Sequence, residues 1–545
     1  MKKILVIGAG LGGLAAAIRL ARAGHAVEVW EKNAGPGGKL KELSRDGFSW
    51  GTGPSLLTMP HVVRELFSAA GERMEDHLEL VRLESACRYF WTDGTVIDED
   101  ETFFQRPEVA KFLDYARGIY ELSGEAYLNR PPAEFWRAFT LGNLGKLRHL
   151  GKVATTRTLA AEVERRLTDP HLRQIFLRFA TYNGSSPYLT PATFNIIPYV
   201  EAEFGAWYVR GGMAKIATEL AALAERQGVV FRFHTTATGW DGREAFSQDG
   251  FRAQADILIC NADVLGAICG GSASGLTLEI SQKRGQAPFS QRLGLDRRRE
   301  MKKEPVPFSL RSTSSDEKGA SPLFSDRRPE VDGYRGFLSD IFTDKDRAKL
   351  HRPPLSTSGY ILFLGVRGRD PRLAHHNIFF SDNYPREFDE IHRQKISPTE
   401  PTIYIAVSAR TDPSHAPPDH HNYFVLINAP ARDPRQPWTE AEAKSYRNVV
   451  LRRLEHFGFA DLSQRIVTEQ IFTPSDFATR DLAHHGALYG WASHSIRASL
   501  FRPPLRAPNA RNVYFVGGTT HPGGGIPLVL LSGKMVADMI QRECA

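Results

Sequence analysis

Apolar residues recur along the chain in short blocks closed by glycine, proline or charge. Ile4-Leu5-Val6-Ile7 is uniformly apolar and rich in β-branched residues. A strand buried on both faces of a parallel sheet reads that way. Gly8-Ala9-Gly10-Leu11-Gly12-Gly13 follows at once, and Leu14 to Ala23 is rich in Ala and Leu, which favours helix. Gly24 stands where that helix should stop. Ala26 to Trp30 predicts a second strand, closed by Glu31, and Val229 to Phe233 predicts a third.

Gly8, Gly10 and Gly13 have the spacing G-x-G-x-x-G between a strand and a helix. The first glycine allows the tight turn, the second lets a pyrophosphate approach the backbone, and the third lets helix and strand pack closely. The helix amino end adds free N–H groups and a positive dipole end. Glu31, 18 residues after Gly13, is placed to accept hydrogen bonds from ribose hydroxyls, which argues against a 2′-phosphate. Lys32 to Lys39 then forms a second glycine-rich loop with cations, followed by Gly51-Thr52-Gly53-Pro54-Ser55. A long, extended FAD needs such a second backbone contact, and NAD dehydrogenases seldom carry one there. The candidate cofactor residues in this half are Gly8, Gly10, Gly12, Gly13, Glu31, Lys32, Gly38, Lys39, Gly53, Pro54 and Ser55.

Composition narrows the class. The chain has 545 residues, 42% hydrophobic and 24% charged, so at roughly 150 residues per domain it holds about three to four units. An excess of +7 over that length is mild and does not read as a nucleic-acid binder. Cys87, Cys260, Cys269 and Cys544 are scattered without CxxC spacing. That suggests no zinc site and fits a reducing compartment. Nothing reads as a secretory signal or a membrane-spanning stretch, so a cytoplasmic protein is expected, with any membrane contact at the surface.

Further segments add a resemblance. They are Gly184-Ser185-Ser186-Pro187-Tyr188, Ile197 to Glu201, Gly205 to Met213, Ala255 to Asp263, Leu373 to Asn377 and Thr411-Asp412-Pro413-Ser414. The most specific is Asn512 to Gly518, a strand ending in glycines, with Thr519-Thr520-His521-Pro522-Gly523-Gly524-Gly525-Ile526-Pro527 and a helix from Leu528 onward. Together with Gly8 to Gly53, these resemble the FAD-dependent carotenoid desaturases of the bacterial phytoene desaturase type, within the wider group that includes flavin amine oxidases. The resemblance spans about 1–265 and 355–545. It implies an α/β fold: a discontinuous Rossmann-like FAD-binding domain, a mixed-sheet substrate domain and a helical membrane-facing region. It also implies that Gly517, Gly518, Gly525, Ile526 and Pro527 lie over the flavin. Family members usually have a valine at the adenine, where Ala237 stands here.

On this basis the FAD domain is assigned to 1–85, 210–265 and 480–545, and the substrate domain to 86–105, 185–210 and 355–480. Residues 106–184 read as helical. There Arg130, Arg137, Lys146, Arg148, Lys152 and Arg157 alternate with Phe135, Trp136, Phe139 and leucines. Such a helix suits an anionic membrane surface, and a plainly solvated face explains it equally. Residues 266–354 depart from the family. Their Arg, Lys and Ser content reads as a partly disordered insertion.

The resemblance implies a peripheral enzyme on the inner face of the cell membrane that desaturates a C30 or C40 polyene. Flavin takes one hydrogen as hydride and a base or water takes the other as a proton. Glu201 and His521 are the candidate bases; a junction acid and a loop-holding histidine are the structural alternatives. The adjacent pairs His375-His376, His420-His421 and His484-His485 make poor metal sites, because strand neighbours point to opposite faces. No metal is expected. A carotenoid end-group oxygenase of the same family is the alternative activity. A prenyl- or lipid-binding protein of Rab GDP-dissociation-inhibitor architecture is the non-enzymatic one, and the intact glycine loops argue against it. Oligomeric state stays open.

Overall fold

The run Ile4–Ile7 ends up where its composition points, at the centre of a sheet covered on both faces. The computed structural model describes residues 1–124, 127, 128, 130–132, 134, 157–269 and 337–544, all within one folded unit. Five parallel strands lie in the order Val513–Phe515, Ile257–Cys260, Lys3–Ile7, Ala26–Trp30, Val230–Arg232. Parallel pairing needs a crossover for every step, so the sheet draws on three distant parts of the chain. The helix Leu11–Arg22 returns the chain from the first strand to the second. It packs against the C-terminal helix Ile526–Cys544. A Cβ on Gly533 would stand 2.5 Å from the Gly12 carbonyl oxygen and 2.8 Å from Ala15 Cβ. The two helices can approach this closely only with a glycine there.

The second large sheet is mixed and seven-stranded. Its order is Ile466–Phe472, Ser358–Arg367, His420–Ala429, Ile403–Ala406, His376–Phe379, Arg88–Phe90, Val96–Asp98. Only the His376–Phe379/Arg88–Phe90 pair is parallel. Along Ser358–Arg367 side chains alternate between two cores. Tyr360, Leu362, Leu364 and Val366 join the core beneath the helix Glu440–His456, while Ile361 and Phe363 face Trp50 and Phe424. Within the stretch 185–210, assigned to the substrate domain, Tyr188, Phe194 and Ile197 pack against the core on one face of this sheet. Trp207–Val209 pairs with Leu80–Arg82. Leu57 and Trp207 exchange both backbone bonds at 2.9 Å, which fixes the segment on the side of the parallel sheet, where Tyr208 and Val209 join its core.

Helices Pro107–Ile119, Leu159–Arg166 and Pro170–Arg178 cover one face of the mixed sheet. Their starts are sequence-encoded: Thr158 Oγ1 accepts from Ala161 N–H, and Asp169 Oδ1 accepts from His171 and Leu172 N–H ahead of Pro170. The basic and aromatic stretch from 135 to 156 lies outside the described residues, as does 270–336. The described flanks of that second stretch are folded. Leu338, Phe342 and Leu350 are buried beside the parallel sheet. Among the described residues no helix is long and apolar enough to cross a membrane.

Candidate active site

Two glycine loops from opposite ends of the chain meet at the carboxyl edge of the parallel sheet. Lys3–Ile7 runs into Gly8, whose φ of +99° only glycine adopts without strain. Gly10 is the N-cap of Leu11–Arg22 and brings no side-chain cap, so the first-turn N–H groups have no side-chain acceptor and suit a phosphate. A Cβ on Gly13 would lie 2.4 Å from the Gly8 carbonyl oxygen, and one on Gly10 would lie 2.5 Å from Asn261 Nδ2. A Cβ on Gly12 would lie 2.9 Å from the backbone nitrogen of Gly517. The loop over the flavin in the resemblance is therefore in contact with the first cradle. These close approaches hold the two loops together beside a helix amino end that carries no side-chain cap, an arrangement that fits the phosphates of FAD.

The second loop closes the other side. Gly37 N–H donates to Ala9 O at 2.9 Å, and Gly38 lies opposite Gly10. Gly53 packs on the Lys39 carbonyl, where a Cβ would come within 2.3 Å; Pro54 and Ser55 continue from it. Glu31 is 4% exposed and accepts from Ala9 N–H and Asn33 N–H, both at 2.9 Å. It forms the cradle wall. Ala237 is half-buried two residues beyond Thr235, whose N–H donates to the Glu31 carbonyl. The two cations point elsewhere. Lys32 Nζ donates to Thr479 O at 3.3 Å and Lys39 Nζ to Leu488 O at 2.6 Å. Burial lowers the Lys32 pKa. At the far end, Gly517 N–H donates to Ser532 Oγ and Gly518 packs on Gly524. Gly525 has φ +106°, and Ile526 and Pro527 open the last helix.

The two candidate bases lie in different settings. His521 is fully buried, and its Nε2–H donates to the carbonyls of Tyr127 and Arg130 at 2.9 and 3.0 Å. Burial pushes its pKa down to about 4. This imidazole ties the C-terminal loop to the helical segment. Glu201 is 2% exposed and accepts from the Tyr182 hydroxyl, with Arg178 Nη2 at 3.6 Å. The same guanidinium nitrogen lies 3.4 Å from Glu99 and 2.7 Å from the Tyr89 hydroxyl, which in turn donates to Glu99. Burial, reinforced by the neighbouring Glu201, raises the Glu99 pKa well above the usual carboxylate range. One guanidinium is thus matched by one carboxylate, and the second carboxyl stays neutral.

Sequence reasoning passed over several of these groups. Asn261 closes the strand Ile257–Cys260 beside Gly8, and its Nδ2–H donates to Gly8 O at 3.2 Å. Its signal was available: the residue that ends a buried parallel strand next to the glycine turn must face that turn. Glu99, Arg178 and Tyr182 had no such signal. A cavity beside the second loop is lined by Trp50, Ser55, Tyr208, Met213, His375 and Ser408, among others.

This geometry fits a flavoenzyme of mixed α/β fold, and comparison agrees. The pattern of the flavin containing amine oxidoreductases matches residues 11–265 and 375–541. The chain is 35% identical to a 4,4'-diapolycopene oxygenase of Methylomonas sp, covering 99% of this chain and 98% of that one. It is 31% identical to a 1-hydroxycarotenoid 3,4-desaturase of Flavobacterium sp. (strain P99-3), over the full length of both. Among solved structures, putrescine oxidase bound to putrescine superposes with a TM-score of 0.56 at 13% identity, covering 99% of each chain. A fatty acid isomerase from P. acnes does so at 0.54 and 14%, covering 99% of this chain and 98% of that one. The chain belongs to the flavin containing amine oxidoreductase family and is an FAD-dependent oxidoreductase.

Proposed function

We propose that this chain is a carotenoid-modifying oxidoreductase acting on a C30 or C40 polyene. The observation that supports it most is the joining of a two-sided FAD cradle to an aromatic- and aliphatic-lined sheet, in a chain that matches proteins named for carotenoid oxidation end to end. When bound, FAD supplies the hydride acceptor. The chain itself holds the phosphates on the helix amino end at Gly10 and shuts water out with the apolar face around Ile378, Tyr404 and Phe380. Glu201 Oε2, which already accepts from the Tyr182 hydroxyl, takes the released proton through that phenol.

Two outcomes share this machinery. Loss of two hydrogens from adjacent carbons gives a new double bond, as in the desaturase relative's name. Oxidation of a terminal carbon, with dioxygen as oxygen donor and oxidant and the second oxygen atom leaving as water, gives an oxygenated end group, which the relative of higher identity, 35% against 31%, favours. Expression in bacteria that supply phytoene, its C30 counterpart or their desaturated products decides between them. A red shift with a mass change of hydrogen loss alone marks desaturation, and a gain of oxygen marks end-group oxidation. Unchanged pigments would overturn both. A colourless protein that takes up no flavin would revive the lipid-carrier reading.

We further place the protein in the cytoplasm on the inner face of the membrane, because a polyene does not dissolve in water. Cosedimentation with anionic vesicles, reversed by salt, is the expected result, and a protein left in the supernatant overturns this placement.

A further inference from the structure

A polar chain leaves the cofactor loop and enters the mixed sheet. Ser55 Oγ lies 2.5 Å from Tyr404 Oη, and Tyr404 Oη lies 2.7 Å from His376 Nδ1. The register explains the contact. His376 faces Ala406 and Ile378 faces Tyr404 in antiparallel pairing, so His376 and Tyr404 are diagonal neighbours on one face. Tyr89 pairs with Ile378 from the other side, and Arg178 sits over the Tyr89 ring at 5.3 Å. The buried guanidinium therefore shares this sheet face with the imidazole.

The direction of the chain follows from His376 Nε2, which is buried and has no hydrogen-bond partner among the described residues. A buried N–H without an acceptor is costly, whereas a bare ring nitrogen is a weak acceptor and tolerates solitude better. The Arg178 charge acts the same way: with burial and His375, it holds the imidazole neutral. The proton thus sits on Nδ1. Nδ1–H donates to Tyr404 Oη, Tyr404 O–H donates to Ser55 Oγ, and the Ser55 hydrogen is left pointing out of the chain. Ser55 makes no other hydrogen bond among the described residues and lines the cavity with Gly51 and Met213. Two residues before it, Gly53 rests on the Lys39 carbonyl beside the second glycine loop.

We propose that Tyr404 and His376 are positioning residues that fix the Ser55 hydroxyl as a hydrogen-bond donor to an acceptor atom on the edge of the flavin ring. A donor held there before reaction stabilises the negative charge the ring gains on reduction, at no cost of reorganisation. The inference rests on the FAD-dependent reading above.

The test is the two-electron midpoint potential of the purified, flavin-loaded protein, read by dye equilibration without substrate. Ser55→Ala should lower the equilibrium constant for reduction about tenfold, a shift of ~30 mV for a two-electron couple. Tyr404→Phe should lower it by a smaller factor, because it frees the hydroxyl without removing it. Ser55→Thr, which keeps the donor, should restore the wild-type value. If Ser55→Ala loses flavin, Tyr404→Phe decides alone. Loaded variants with unchanged potential, or variants that weaken only substrate affinity, overturn the inference. A wild-type protein that takes up no flavin overturns the FAD-dependent reading instead.

Discussion

The cofactor cradle and the Arg178 cluster are both buried and both assembled from distant parts of the chain, yet they are built on opposite principles. The cradle works by removing side chains. Gly10, Gly12 and Gly13 leave the backbone bare at a helix amino end, and a Cβ added to any of them meets protein atoms at 2.4–2.8 Å. The cluster works by adding them. Arg178, Glu99, Glu201, Tyr89 and Tyr182 fill a pocket of the substrate-side core and pair with one another, although Arg178 Nε has no hydrogen-bond partner among the described residues. The first tolerates no volume and little else is asked of it; the second tolerates volume but not a missing charge.

The sharpest break of the cradle is Gly12→Val. The added side chain would collide with the Gly517 backbone and Asn261 Oδ1. The expected outcome is a folded but flavin-free chain, read as an absent flavin absorbance with a retained far-ultraviolet circular dichroism spectrum. Normal flavin content would show that the two loops do not share one ligand.

The contrast also explains what the sequence revealed. The cradle was legible because its constraints are local. A strand, a turn with positive φ and a helix amino end fall within residues 3–22, and each glycine has its reason within reach. The strand Ala26–Trp30 and the C-terminal strand and helix were legible for the same reason. The cluster was not. Glu99 follows an edge strand, Arg178 ends a helix, and Glu201 lies on the next α-helix, Ile196–Phe204. No spacing along the chain brings them together; only the order of the mixed sheet does. The partners of His521 are equally out of reach of any spacing, being carbonyls of a segment with no motif at all. Likewise, Glu201 was singled out from its family-like surroundings, but its partners were not.

The cluster breaks differently. Arg178→Met keeps most of the volume and removes the guanidinium, leaving the Glu99 and Glu201 carboxyls buried together without it. Breaking a buried pair in this way costs about 3–5 kcal/mol, read as a lower urea midpoint at pH 7. Flavin content should hold, since the cradle is untouched. Loss of flavin with unchanged stability would mean that the cluster supports the cofactor rather than the substrate-side core.

A smaller effect isolates the proton held between the carboxyls. Glu99 binds its proton more tightly in the folded chain than in the unfolded one, where a glutamate titrates near 4.3. The stability this gives is fully present below about pH 4.3. It is lost as pH rises toward the folded value, at about 1.4 kcal/mol per unit. Glu387, pushed up to about 7 by burial, contributes to the same falling limb. The readout is therefore the difference between wild type and Glu99→Gln, not the wild-type slope. Glutamine keeps the shape and a neutral head but has no proton to lose. The variant should match the wild type near pH 4 and gain on it by about 1.4 kcal/mol over the first unit above pH 4.3. Equal slopes in the two proteins would mean that Glu99 is ionised in the fold and that Arg178 is shared by two full charges.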